Sequence, residues 1–214
     1  AMSAMTLSLP EIKPNQMTKK TKVRNSKARN NIVKHAALLF SEMGYTGTTM
    51  RDIAEKVGVL PGSLYSHIKS KEELLLDIVS SGIESFLQIE SDVNKMTGTP
   101  EEKLRFAIGR HVEVVAVDPA KMLIVFHQWR YLTGPNLRKA KKMRRNYAKL
   151  YADLLKEGIG TGAFSSELDS KVEVLAIMGA LNWMPEWYKP RGAYSPAEIG
   201  SKIADIMIHG LNSR

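Results

Sequence analysis

The stretch from Thr48 to Glu73, TTMRDIAEKVGVLPGSLYSHIKSKEE, holds so many helix starts and stops that only short helices joined by tight turns can fit it. Thr49, with Asp52 three residues on, is a capping signal, and Met50, Ile53, Ala54 and Val57 follow at helical spacing. Gly58 accepts the backbone of a sharp turn, and the small Ala54 lets a second helix cross closely. Pro61 suits the first position of that second helix. Leu64 and Ile68 supply its inward face, leaving Ser63, Tyr65, Ser66 and His67 outward. Ser70 and Glu73 read as another capping box, placing Lys71 in the first turn of the next helix.

This spacing predicts a helix-turn-helix. Small and hydroxyl-bearing side chains near its second helix can approach base edges, and Tyr65 and His67 can donate to phosphates. Any compact helical protein can also contain such a turn with merely solvated polar residues, and charge separates the two readings. Residues 1–71 hold 12 Lys and Arg against 4 Asp and Glu, a balance of +8, whereas residues 72–214 hold 19 against 18. A surplus confined to one third of the chain is what displacing counterions from phosphates requires. Lys19, Lys20, Lys22, Arg24, Lys27 and Arg29 lie in a segment with no acid between Glu11 and Glu42. Up to about residue 18 this segment reads as a disordered, solubilising tail. Lys22 to Arg29 abut the first helix and could reach an adjacent minor groove or phosphate.

With 214 residues the chain can bury a good core. We expect a flexible basic arm over 1–23, a helix-turn-helix domain over 24–70 and a larger helical domain over 71–214. The absence of cysteine excludes disulfides and thiolate chemistry and fits a reducing interior. No apolar run approaches the ~20 residues of a membrane span, nor is there a secretory signal, so a cytoplasmic protein without a membrane partner is expected. Thr99-Pro100-Glu101-Glu102 and Ser195-Pro196-Ala197-Glu198 each combine an N-cap, a first-position proline and a glutamate at the third position. Asp118-Pro119, Gly134-Pro135 and the Gly158 to Ser166 stretch punctuate the rest, and no hairpin signal appears. The chain reads as all-α, with nine helices near 27–44, 49–57, 61–68, 71–93, 100–117, 119–132, 135–158, 168–188 and 196–211.

Phe40, Gly44, Tyr45, Thr48, Thr49, Ile53, Ala54, Gly58, Val59, Gly62, Leu64, Tyr65, Lys71 and Leu74 together resemble the DNA-binding domain of TetR-family transcriptional regulators. The specific likeness covers residues 27–76. It implies a homodimer on a palindromic double-stranded operator, released by a small molecule, with residues 71–214 as the ligand-binding and dimerisation domain. By position it implies phosphate contacts from Thr49, Tyr65, His67 and Lys71 and base approach by Gly62, Ser63 and Ser66. Lys27, Thr48 and Pro61 complete the candidate DNA-contacting set. Two residues depart from the family pattern: Leu60 stands where a hydroxyl N-cap is usual, and Ile68 replaces an aromatic residue.

Two apolar stripes near the C-terminus suit dimerisation. Leu175, Ala176, Gly179, Ala180 and Trp183 set small residues beside large ones, and Ile199, Ile203, Ile206, Met207 and Leu211 form the second stripe. Both could equally face the core of one subunit. Candidate effector contacts are His111, Phe126, Trp129, Arg130, Tyr147, Asn182, Trp183 and Trp187, aromatic residues with a few polar groups, as a small-molecule pocket or an ordinary core needs. Arg130 stands out for its place beside Trp129 in an apolar stretch. The segment from Asn182 to Pro190, with Gly192 and Ser195-Pro196, resembles TetR-family members that sense acyl-coenzyme A thioesters. Arg138, Lys139, Lys141, Lys142, Arg144, Arg145 and Lys149 crowd one helix with no acid from Gly134 to Ala152. They could neutralise coenzyme A phosphates, add to DNA electrostatics or simply be solvated.

No catalytic residue, resident cofactor or metal site is expected. Gly158-Ile159-Gly160-Thr161-Gly162-Ala163 follows no strand and lacks dinucleotide spacing, and the five histidines show no ligand pairing. Three readings stay open: a repressor released by an acyl-CoA or related lipid, a repressor of efflux genes sensing drugs or aromatic compounds, and a coenzyme-A-using helical enzyme with a basic N-terminal module. The drug reading calls for more carboxylates among the pocket aromatics than Glu113 and Glu186.

Overall fold

A computed structural model describes the backbone of residues 14–212 and the side chains of residues 26–212. Ten α-helices and one 3-10 turn make up most of the described chain, which contains no strand. Helix α1 runs Pro14–Gly47, α2 Met50–Val57, α3 Pro61–Tyr65, α4 Lys71–Glu84 and α5 Leu87–Lys95. Then follow α6 Pro100–Val117, α7 Pro119–His127, the 3-10 turn Gln128–Tyr131, α8 Gly134–Thr161, α9 Ser170–Trp187 and α10 Pro196–Leu211.

Several boundaries differ from those expected. Helix α1 starts well before residue 27, because Pro14 suits a helix start and no glycine or proline interrupts the chain from Asn15 to Met43. The arm expected over 1–23 therefore lies partly in this helix. Residues 1–13, and the side chains of Lys19, Lys20, Lys22 and Arg24, fall outside the described residues. The helix expected over 71–93 breaks at Ser85 and Phe86, and the break seats Phe86 in a buried ring cluster with His111, Phe126 and Tyr147. The segment expected as one helix over 119–132 ends its α-helical part at His127 and tightens into the 3-10 turn.

The capping signals work as the residues predict. Thr49, Thr99 and Ser195 each form a reciprocal capping box with the acid three residues on. At Ser70 only half of the box forms: its hydroxyl accepts from the Glu73 amide, while the Glu73 carboxylate turns to Arg29 and the Lys69 amide. Gly58 takes φ 77° and ψ 35°, the left-handed conformation that closes α2.

Helix α4 is the spine of the molecule. Leu74, Leu75, Ile78, Val79 and Ile83 are buried among α1, α7 and α8. The same helix therefore touches both the reading head and the C-terminal bundle. Helix α10 lies along α6, where Gly200 meets Gly109 so closely that a Cβ at Gly200 would sit 2.9 Å from the Gly109 Cα. That contact draws Ile199, Ala204, Ile208 and Leu211 into the core. The Gly158 to Ser166 stretch ends α8 in a left-handed Gly162, with Phe164 folded back onto Gly158.

A candidate DNA-reading head and effector cavity

The head is built from α1 to α3 around Phe40, Ile53, Ala54, Leu64 and Ile68, all but sealed from solvent. Burying Leu64 and Ile68 contributes about 1.5–3 kcal/mol each, enough to hold a five-residue helix that could not form alone. Pro61, Gly62, Ser63, Tyr65 and Ser66 remain on its outer face, Tyr65 with 54% of its surface exposed. His67 is half-buried, and Leu60 precedes α3 without a side-chain cap. Thr49 is exposed beside them, as is Lys27 on α1.

Three residues read as DNA contacts or as part of the basic arm instead hold the head together. Thr48 is fully buried, its hydroxyl 2.9 Å from the Gly44 carbonyl oxygen and 3.3 Å from that of Leu39. Lys71 donates to the carbonyls of Tyr45 (2.8 Å) and Thr48 (2.7 Å) and lies over the Tyr45 ring, so its ammonium satisfies the end of α1. Arg29 turns inward to Asp77 (2.6 Å), Glu73 (2.8 Å) and the carbonyl of His67 (2.9 Å), tying α1, α4 and the end of the reading helix into one unit. The Glu73 hydrogen bond raises the Arg29 pKa further. Burial pushes the Glu73 carboxyl up, but Arg29 and the Lys69 amide outweigh it and hold it below its usual range.

Between α7, α8, α9 and the α4–α5 break lies a cavity of about 240 Å³. Ile83, Phe86, Phe126, Val174 and Met178 make it mostly apolar, and Arg144, Arg145, Tyr147 and Asn182 supply its polar groups. No carboxylate lines it. Of the candidate effector residues, Phe126, Tyr147 and Asn182 line this cavity. The other candidates do not line it. His111 is fully buried behind the Phe86 ring, 4.6 Å between centroids, with Nδ1 2.9 Å from the Tyr147 hydroxyl. Trp129 stands outside the lining, its indole N–H donating to the Phe126 carbonyl. Arg130 is exposed, its guanidinium 5.6 Å from the centre of the Trp129 ring. Trp183 and Trp187 project from α9 into solvent.

Two members of the α8 cation cluster, Arg144 and Arg145, line the cavity although neither is among the candidate effector contacts, and Arg144 is the more buried of the two. Arg144 shares the α8 face of the buried Ala140, Tyr147 and Tyr151, so helical periodicity marks it as inward even within a run of exposed cations. Its guanidinium lies 4.8 Å from the centre of the Trp129 ring and donates to the Val125 carbonyl at 3.3 Å. Among the described residues it makes no ion pair. Burial, and then the charge of Arg130, lower its pKa. The guanidinium is thus largely desolvated and held by the Trp129 face and one long hydrogen bond, a state in which an anion would be a favourable partner.

His111 has a measurable consequence. Burial pushes its pKa down to about 3 from an ordinary 6.5. The unfolded chain takes up this proton as pH falls through about 6.5, and the folded chain does not until about 3. Stability is therefore fully present above that window and falls within it by about 1.4 kcal/mol per pH unit. Urea unfolding on either side of pH 6 should show the loss, and His111→Phe should flatten it by about that slope.

The C-terminal stripes are divided by the fold. Leu175 (72%), Trp183 (58%) and Ile206 (69%) are exposed with Gly179, while Ile203 and Met207 are half-buried. Ile199 leaves the candidate dimer surface, because α10 turns it against α6. Among the described residues no group of acids and histidines is spaced to hold a metal, and no helix is long and apolar enough to cross a membrane.

Comparison with known proteins accords with this architecture. Residues 32–78 match the family described as bacterial regulatory proteins, tetR family, and residues 97–211 match the tetracyclin repressor-like C-terminal domain. The HTH-type transcriptional repressor KstR2 of Mycolicibacterium smegmatis is 31% identical over 193 residues, covering 86% of this chain and 90% of the relative. The structure of the ketosteroid transcriptional regulator KstR2 of Mycobacterium tuberculosis superposes with a TM-score of 0.78 at 26% identity, covering 87% of this chain and 95% of that one. The crystal structure of AibR in complex with isovaleryl coenzyme A and operator DNA gives 0.74 at 26% identity, covering 86% and 97%. The helix-turn-helix and the C-terminal bundle thus match along nearly the whole described chain, which belongs to the TetR family and is a DNA-binding transcriptional regulator rather than an enzyme.

Proposed function

We propose that the chain acts as a homodimeric repressor of a palindromic operator and is released by an acyl thioester of coenzyme A bound in the α7–α8–α9 cavity. The observation that carries this reading is Arg144, a largely buried guanidinium that lines a mostly apolar cavity and makes no ion pair among the described residues. An acyl group suits the apolar walls of Ile83, Phe86, Phe126 and Met178, and an anionic group suits Arg144 and Arg145. At about 240 Å³ the cavity is below the usual 300–1,000 Å³ of drug-sized sites, so it fits the acyl end of a ligand whose remainder lies outside. The exposed Arg138, Lys141 and Lys142 on α8 can neutralise that remainder's phosphates. That AibR was solved with an acyl-CoA and KstR2 is named a ketosteroid regulator supports the same class. A lining with two arginines and no carboxylate disfavours cationic drugs.

The test begins with selection of genomic fragments by the purified protein, followed by titration of the operator complex with acyl-CoA thioesters, free coenzyme A and the free acids. Release by thioesters at concentrations where neither fragment acts is expected. Release by cationic dyes, with none by thioesters, would return the drug-sensing reading.

In the head, Tyr65 is proposed to anchor a phosphate and Gly62, Ser63 and Ser66 to face bases. Gly62 has open space around it, so the backbone of α3 can lie against a groove. Tyr65→Phe should weaken all operators alike, by about 1 kcal/mol or roughly fivefold. A loss confined to one base position in a gel-shift series would make Tyr65 a base reader instead.

A further inference from the structure

We propose that Gln128 is the coupling residue through which the cavity controls the reading head, an inference that rests on the cavity being the effector site. Gln128 is the first residue of the 3-10 turn after α7. Its side-chain amide donates to the Phe40 carbonyl at 3.0 Å and accepts from the Tyr45 amide at 3.1 Å. Among the described residues, these are the hydrogen bonds that join residues 26–70 to anything beyond residue 95, and both belong to this one side chain. The place is determined by Gly44, whose φ of 75° interrupts the helix between Phe40 and Tyr45. Backbone groups at such an end need partners from elsewhere, and Gln128 supplies a donor and an acceptor together.

The cavity reaches this turn through Arg144. Its guanidinium rests on Trp129, the residue after Gln128, and Trp129 holds the turn to α7 through the Phe126 carbonyl. On the other side, Tyr45 opens the corner that leads into α2. Its ring stacks on Tyr131, and its carbonyl shares Lys71 with that of Thr48. An anion that draws Arg144 from the Trp129 face removes the support under the turn, and Gln128 transmits the shift to the α1–α2 corner. The head is then turned relative to its twofold mate, and two half-sites cannot be held at once. Gln128 touches neither ligand nor DNA in this scheme. Its part is to make binding at one site felt at the other.

Gln128→Met keeps the volume and removes both hydrogen bonds. With hexanoyl-CoA and isovaleryl-CoA as probes, the variant should bind the thioester as the wild type does, while the loss of operator affinity on saturation drops from a wild-type factor of about 5–150 to below about 3. Because coupling is reciprocal, a second measurement needs no effector: operator DNA should slow amide exchange across residues 128–133 in the wild type and leave it unchanged in the variant. Wild-type coupling in Gln128→Met, or no operator effect on exchange at 128–133 in the wild type, would overturn the proposal. If the wild type binds neither probe, the effector reading fails, and the exchange experiment still decides the link between Gln128 and the head.

Discussion

Replacing Arg144 by methionine is expected to cut acyl-CoA affinity by at least about 30-fold while leaving the fold no less stable. The two halves of that result have opposite signs for one reason. In the free protein the guanidinium is largely desolvated, holds one long hydrogen bond and makes no ion pair among the described residues, so an apolar side chain of similar length relieves a cost. In the complex the same guanidinium meets an anion in a low-dielectric cavity, where truncating one partner of a charge pair costs about 2–5 kcal/mol, or about 30-fold to several thousand-fold. Calorimetric titration gives the affinity and thermal unfolding the stability. Equal affinity in Arg144→Met would place the anion elsewhere, with the exposed cations of α8 next to be tested. The same substitution at Arg130 should change affinity little, since that side chain is exposed outside the cavity lining.

The second large effect concerns assembly. Glutamate at both Trp183 and Ile206 should convert a dimer into monomers and reduce operator affinity by about 10²–10⁴-fold, the advantage that two linked reading heads hold over one. Both side chains are more than half exposed on α9 and α10, and neither lines the cavity. Charging them should spare the subunit fold and the effector site. The apolar surface at Leu175, Trp183, Trp187 and Ile206 is what a buried interface would cover. Sedimentation reports the mass and a half-site probe reports the single head, which should bind as weakly in the variant as in the wild type. A variant that stays dimeric and holds the full operator would move the interface away from this face.

How much could be read before folding depended on the range of the interaction. Helix starts at Thr49, Thr99 and Ser195, the left-handed turn at Gly58 and the inward pair Leu64 and Ile68 depend on neighbours within four residues, so the order of residues alone specifies them. The gathering of charge in residues 1–71 is likewise a property of the sequence, and it pointed to phosphate before any geometry was known. Arg144 lay within reach of the same reasoning through its place on the buried face of α8, but the cations around it concealed that register.

What the tertiary structure decided is which of several similar polar groups found partners far along the chain. Thr48, Lys71 and Arg29 carry the chemistry of DNA contacts, yet the carbonyls at the end of α1 and the acids of α4 take up their hydrogen bonds within the subunit. Ile199 belongs to a dimer-like stripe, yet the Gly109–Gly200 approach turns it into the core. Gln128 carries no local signal, being one amide in an apolar stretch. Its meaning comes from Gly44, more than eighty residues away, whose backbone leaves the gap that Gln128 fills. Local hydrogen bonds and periodicity thus determined the helices and the character of the head. Only long-range packing could bring Arg144, Trp129, Gln128 and Tyr45 into one line, since residues this far apart in sequence meet only where burial of the surrounding helices places them.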